Sequence, residues 1–235
     1  MAGSIVTGSG GLVGAESVRR LIAAGYDVVG IENDMRASFF GPEASTSHVT
    51  DALLEEYPEF RSLDADVRDA DAVSRAFQSV DDLELVIHAA AQPSHDWAAR
   101  EPHTDFGINA LGTLNLLEAT RSHAPDATFV LMSTNKVYGD LPNSLPLIDA
   151  GTRLDLPPDH RYFAGIDTSM SIDRSTHSLF GVSKAAADLL TQEYGRYFGM
   201  PTCCFRCGCI TGPIHAGAEL HGFLAYLMKA TVTST

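Results

Sequence analysis

Gly8-Ser9-Gly10-Gly11-Leu12-Val13-Gly14 is the stretch whose reading decides the fold. Ser4-Ile5-Val6-Thr7 before it has the apolar character of a short buried strand, and Leu12, Val13, Ala15, Val18, Leu21 and Ile22 after it recur with helical spacing. A glycine turn between strand and helix lets the backbone double back tightly and approach a pyrophosphate, which then sits on the helix N-terminus. The G-x-x-G-x-x-G spacing alone also fits a tight structural turn, so context decides. A second strand over 27–31 ends at Glu32, 18 residues after Gly14, where a carboxylate would hold the adenosine ribose hydroxyls. The residues expected to hold a dinucleotide here are Gly8, Gly10, Gly11, Leu12, Val13 and Gly14, then Glu32, Asn33 and Arg36. Glu32 would repel a 2′-phosphate, which favours NAD over NADP; Arg36 nearby works against that discrimination.

The alternation continues outward. Strands are expected at 60–63, 83–89, 128–133 and from 201, and helices at 49–57, 70–80, 105–123, 179–198 and from 223. Repeated βαβ units with apolar strands predict a Rossmann-type, doubly wound parallel α/β sheet with helices on both faces. The Pro-, Asp-, Gly- and Ser-rich residues 140–176 read as an irregular loop lying over the active site. Asp66-Val67 and Ala89-Ala90-Ala91 close the third and fourth strands at the edge where the cofactor would lie. Taken alone, both read equally as strand-end filler.

The bulk numbers suit one domain, 1–235. With 45% hydrophobic residues and mean hydropathy near zero, a soluble globular chain is expected. No apolar run is of membrane-spanning length, and no secretory signal is evident at the N-terminus. The formal charge of −14 argues against a nucleic-acid partner. Cys203, Cys204, Cys207 and Cys209 invite a zinc reading, but residues 200–210 look like one buried strand, which cannot wrap four thiolates round an ion. Packing is the expected role, no metal is expected, and free thiols fit a reducing cytoplasmic setting.

Ser133-Thr134-Asn135-Lys136-Val137-Tyr138-Gly139 follows the fifth strand, and Phe180-Gly181-Val182-Ser183-Lys184 opens a later helix. With residues 109–119, 181–188 and the glycine loop, these stretches make the chain, from residue 3 to about 212, resemble the extended short-chain dehydrogenase/reductases of the NAD-dependent epimerase/dehydratase family. Within it, the closest likeness is to CDP-paratose (CDP-tyvelose) 2-epimerases. The resemblance implies a catalytic Thr134, hydrogen-bonded to the hydroxyl being oxidised, and a Lys184 gripping the nicotinamide ribose. Ser133 belongs to the cofactor side. Gln92, Asn135, Lys136, Cys207 and Cys209 fall on the substrate side, facing a nucleotide sugar, with a CDP-sugar favoured. Family dehydratases carry Asp-Glu after the Ser/Thr; Asn135-Lys136 here point away from elimination and toward epimerisation through a transient keto sugar. Relatives often dimerise through helices matching 105–123 and 179–198, so the resemblance leaves a homodimer open, while apolar faces on those helices would equally serve packing on the sheet.

Two departures stand out. Phe180 occupies the place of the family's catalytic tyrosine, and no proton can leave a phenyl ring. Lys136, Tyr162, His177, Cys207 and Cys209 are the candidates to replace it, each with a structural alternative: surface position, helix start or strand packing. Relatives also continue well beyond residue 235, so the tail Thr231-Val232-Thr233-Ser234-Thr235 reads as a truncated end, with the C-terminal substrate-binding part largely absent. Three readings stay open: an epimerase or a fragment of one, a non-catalytic dinucleotide-binding module, and an oxidoreductase that releases NADH.

Overall fold

In chain order the elements are β1 (Gly3–Thr7), α1 (Leu12–Ala23), β2 (Asp27–Glu32), α2 (Met35–Phe40), α3 (Ser47–Glu56), β3 (Arg61–Asp64), α4 (Ala70–Gln78) and β4 (Leu83–His88). There follow α5 (His95–Arg100), α6 (Pro102–Phe106), a π-helical turn (Gly107–Leu111), α7 (Gly112–His123), β5 (Thr128–Thr134), β6 (Ile148–Asp149), β7 (Leu154–Asp155), α8 (Leu179–Phe198), β8 (Thr202–Cys207) and α9 (Phe223–Thr233). The computed structural model describes residues 1–215, 217 and 222–233; Ser234 and Thr235 of the tail lie outside them.

Six strands form one parallel sheet in the order β3-β2-β1-β4-β5-β8. The order reverses between β1 and β4, which opens a crevice at their carboxyl ends. Strand alternation divides the core. Val6 and Val28 face α1 and α3 with Val18, Leu53 and Phe60, while Ile5, Val29, Val86 and Phe129 face the other side with Phe77, Leu116 and Leu117. Each such buried side chain contributes about 1.5–3 kcal/mol of burial energy, so the doubly covered sheet expected from the βαβ pattern is what holds the crevice open.

Four local expectations are corrected. The helix expected at 105–123 starts at Pro102 and passes through the π turn before α7. Residues 140–176 do not cover the cleft: none of them lines it. They carry only the β6–β7 ribbon and short turns, and their apolar side chains Leu156, Tyr162 and Met170 gather on Val137 and Tyr138 in a separate small core. The strand expected to be buried at 200–210 is β8, an edge strand on β5, with Phe205 52% exposed. Apolar composition suggested an interior strand, but among the described residues no further strand pairs with it. The short helices α2 and α5, too short for a periodicity, were not expected at all.

Candidate functional site

The crevice is a cleft of ≈ 720 Å³, within the usual range for small-molecule sites. It runs from the glycine loop across the ends of β2 and β4 to Thr134, Phe180 and Lys184. Gly8 adopts φ +65°, and a Cβ there would come within 2.8 Å of the Ala90 nitrogen. A Cβ on Gly14 would sit 1.9 Å from the Gly8 carbonyl oxygen, so this turn closes only with glycine at that position. α1 then starts without a side-chain cap and with no acidic residue in its first turn. By contrast, Asp69, Ser94 and Ser178 cap α4, α5 and α8 through their side chains. Uncapped N–H groups in a glycine cradle fit the phosphates of a dinucleotide.

Gly8, Gly11, Leu12, Val13, Gly14, Glu32, Asn33, Arg36, Asp66, Val67, Ala89, Ala90 and Ala91 all line the cleft as expected from the sequence. Gly10 does not. It turns away, where a Cβ would meet the Thr50 hydroxyl at 2.7 Å, and its N–H donates to Glu32 Oε2 at 2.9 Å. The other Glu32 oxygen accepts from the N–H groups of Asn33 (3.0 Å) and Asp34 (2.9 Å). Gly10 therefore orients the carboxylate and does not itself line the cleft. Arg36 lies 5.1 Å over the Phe40 ring, and burial lowers its pKa. At Asp66 burial pushes the pKa up, but the Arg68 guanidinium and N–H outweigh it and leave the carboxyl below its usual range.

The alanines after β4 are set by His88. Thr113 donates its hydroxyl to the Asn109 carbonyl at 2.6 Å, so its oxygen accepts from His88 Nε2 at 3.0 Å. That leaves Nδ1 to accept from the Thr7 hydroxyl at 2.7 Å, and Thr7 in turn takes the Ala90 N–H at 3.1 Å. The ring is neutral, its pKa pushed down to about 3 by burial first and by the Lys184 charge second. Gln92 is a second correction. It is fully buried, with its amide on Asp105 Oδ1 and the Ser94 backbone and its N–H on Asn109 Oδ1, so it anchors the loop before α5 from inside and does not line the cleft.

At the far end, Ser133 lines the cleft, but its hydroxyl is given to Asp188 Oδ2 at 2.6 Å. The Thr134 hydroxyl makes only long contacts, 3.4 Å to Asn135 Oδ1 and 3.3 Å from the Lys136 N–H. Lys184 is 3% exposed and donates to the Met132 carbonyl at 3.0 Å. Burial brings its pKa down to about 8 against the pull of Asp188 and Asp105. Asn135, Lys136, Cys207 and Cys209 line the same end. Burial raises the Cys207 thiol, while the Lys184 charge lowers it. Among the described residues no group of His, Cys, Asp and Glu is placed to hold a metal ion, and no helix is long and apolar enough to cross a membrane.

Of the candidates to replace the missing phenol, Lys136, Cys207 and Cys209 line the cleft, and Tyr162 and His177 do not. Tyr162 is in the small core, and both His177 ring nitrogens lie against carbonyl oxygens, of Ser175 at 3.1 Å and Val137 at 2.7 Å. Several cleft residues were not read from the sequence, among them Met35, Phe39, His215 and, facing Phe180, a histidine. His95, at the start of α5, packs against Phe180 with ring centroids 4.9 Å apart. Only the capping Ser94 could have signalled it.

Residues 4–233 match the NAD dependent epimerase/dehydratase family. The chain belongs to that family. NAD, the family's cofactor, is the dinucleotide that the uncapped glycine turn and Glu32 fit. CDP-paratose 2-epimerase of Salmonella typhi is 32% identical over 97% of this chain and 63% of its own length. An Escherichia coli dTDP-glucose 4,6-dehydratase is 31% identical over 92% of this chain and 56% of its own. The solved UDP-glucose 4-epimerase of Thermus thermophilus, in complex with NAD, superposes over 99% of this chain with TM-score 0.73 and 25% identity, and the match spans 63% of that chain. The chain thus spans little more than half to three-fifths of these relatives.

Proposed function

We propose that this chain is an NAD-dependent epimerase of nucleotide sugars, with a CDP-sugar as the favoured substrate. The observation that carries this reading is the continuity of one cleft from the glycine loop and Glu32 to Thr134 and Lys184, with Asn135 and Lys136 following the threonine. When bound, NAD takes a hydride from a ring carbon of the sugar and later returns it to the opposite face, so none is consumed. Thr134, whose hydroxyl is weakly engaged, hydrogen-bonds the sugar hydroxyl. Lys184 binds the nicotinamide ribose, and its buried charge attracts electron density developing on the sugar oxygen. Asn135 and Lys136 offer no carboxylate, so elimination is not supported. Ser133 acts by holding its strand end to Asp188. The exposed apolar side chains Phe106 and Leu111 on one helical segment, with Leu179, Val182 and Leu189 on α8, support the homodimer that the resemblance leaves open.

Glu32→Ala tests the cofactor end. A carboxylate fixed by backbone N–H groups gives charge-assisted hydrogen bonds worth about 1.5–3 kcal/mol, so NAD should bind roughly 10- to 100-fold more weakly. Because the repelling charge goes too, NADP should lose less. Titration calorimetry with both dinucleotides reads this; equal losses would remove Glu32 from the ribose.

Phe180 favours a second reading, a non-catalytic dinucleotide-binding module. Native mass spectrometry of the purified chain, alone and with CDP- and UDP-sugars, separates the two. An NAD mass to which a sugar nucleotide adds is expected. NAD without any sugar nucleotide would favour the module, and neither would overturn both.

A further inference from the structure

The ring at Phe180 has no proton to exchange, but the ring packed on it has. His95 stands with its centroid 4.9 Å from that of Phe180 and the planes at 60°, and both rings line the cleft with Thr134 and Lys184. Its backbone is fixed from within: Ser94 caps the Trp97 N–H at 3.2 Å and gives its own N–H to the buried Gln92 at 2.6 Å. Among the described residues the His95 ring nitrogens make no hydrogen bond, whereas those of His88 are taken by two threonines and those of His177 face two carbonyls.

We propose that His95 is the acid–base residue of this cleft, taking up and returning the proton of the sugar hydroxyl in place of the missing phenol; this rests on the epimerase reading above. In the forward step a neutral imidazole nitrogen accepts the hydroxyl proton while the hydrogen on the same carbon leaves as hydride to the dinucleotide. The C–O bond becomes a carbonyl and His95 an imidazolium. In the return step the hydride adds to the other face of the carbonyl carbon, the imidazolium gives its proton to the oxygen, and charge and redox state are restored. A base must start neutral. Although its side chain is exposed, desolvation by its neighbours, then Lys136 on the turn after β5, hold His95 below its ordinary pKa, while Asp96 on α5 and Asp105 on α6 pull the other way. Phe180 then provides an apolar wall against which the imidazole is oriented.

The test is a double-mutant cycle on the NAD-loaded chain, with CDP-glucose and UDP-glucose as probes and bound-cofactor absorbance at 340 nm in a single turnover as readout. H95Q should slow that step about 10²–10⁴-fold, the usual contribution of a general base, and leave the Kd for NAD unchanged. In the Phe180→Tyr background, where a phenol can take the proton, the same change should cost less than about 10-fold, because residues sharing one task are non-additive. An equal cost in both backgrounds would make His95 structural and overturn the assignment, as would an active wild type indifferent to H95Q. A wild type that forms no 340 nm signal with either probe would overturn the epimerase reading and His95's role with it. Independently of turnover, imidazole NMR should show the His95 resonance move when CDP-glucose binds the NAD-loaded wild type; binding that leaves it unmoved would overturn the proposal.

Discussion

Asp188→Ala should destabilise the chain by about 3–5 kcal/mol, the cost of removing one partner of a buried ion pair. Asp188 is fully buried on α8, and its carboxylate accepts hydrogen bonds from three elements. Arg206 of β8 donates to both oxygens, at 3.1 and 2.8 Å, Gln192 donates at 2.6 Å and Ser133 at 2.6 Å. Arg206 reaches on to the Tyr138 hydroxyl at 3.0 Å and lies over its ring. One carboxylate therefore ties the edge strand β8, the end of β5 beside Thr134 and the turn that follows to a single helix. Without it the Arg206 charge, 14% exposed, has no counter-charge in that network. Burial pushes the Asp188 pKa up, but the hydrogen bonds from Arg206 and Ser133 outweigh it and leave it lowered. A carboxyl lowered on folding stabilises above its unfolded pKa, roughly 3.9, and the contribution is lost as pH falls below that toward the folded value. Urea unfolding at neutral pH should show the midpoint drop at constant slope, and Asp188→Ala/Arg206→Met should regain part of the loss. A loss under about 1 kcal/mol, the range of an exposed pair, would mean that water already screens this network.

That network shows why part of the site could be read in advance and part could not. The glycine turn was legible because two independent patterns meet there, a short apolar strand-like run before it and a helical period after it, and Gly8 and Gly14 have no room for a side chain. Glu32 was legible because strand ends in a parallel sheet share one edge. Gln92 misled for the same reason: it follows a run of small residues at that edge, yet the chain turns inward there because its amide meets Asp105 and Ser94. Gly10 misled because a glycine pattern does not say which way each Cα faces. The Asp188–Arg206 pair joins a helix to a strand across a crossing that no local period encodes. His95 was missed because a six-residue helix carries no periodicity, and nothing near it in sequence indicates that Phe180 will be its neighbour. The departure at Phe180 could be read directly; what stands against it is a tertiary fact.

Lys184→Met should separate function from stability, with the two effects in opposite directions. The ammonium is buried, among the described residues its hydrogen bond goes to the Met132 carbonyl, and His88 close by stays neutral partly because of it. Its pKa falls from 10.5 to about 8 on folding. Every tenfold gain in the acidity of an ammonium disfavours its charged form by about 1.4 kcal/mol, so keeping Lys184 charged at neutral pH costs the native state about 3 kcal/mol. The sign follows from proton counts. Between pH 8 and 10.5 the unfolded chain binds the proton and the folded chain has released it, so stability rises with pH across that window and falls as pH drops through the folded pKa. Below pH 8 the full cost is present and constant. Methionine has no charge to desolvate and nearly the same length, but it leaves the Met132 carbonyl without its donor, about 1 kcal/mol. The variant should therefore be more stable than wild type by about 2 kcal/mol at pH 7. The difference between them should shrink as pH rises above 8 and change sign only close to pH 10.5, where the unfolded amine is losing its proton too. Under the epimerase proposal, the same variant should bind NAD more weakly and lose at least about 10²-fold in the 340 nm step, since a preorganised buried charge acts on developing negative charge. Denaturation curves across pH and single-turnover absorbance measure the two arms separately. A variant less stable than wild type at pH 7 would mean that the buried ammonium is compensated by Asp188 and Asp105. A stabilised variant with undiminished turnover would remove Lys184 from the chemistry while keeping its cost. The expected result, more stable and less active, is the mark of a charge kept in the core for its work on a ligand.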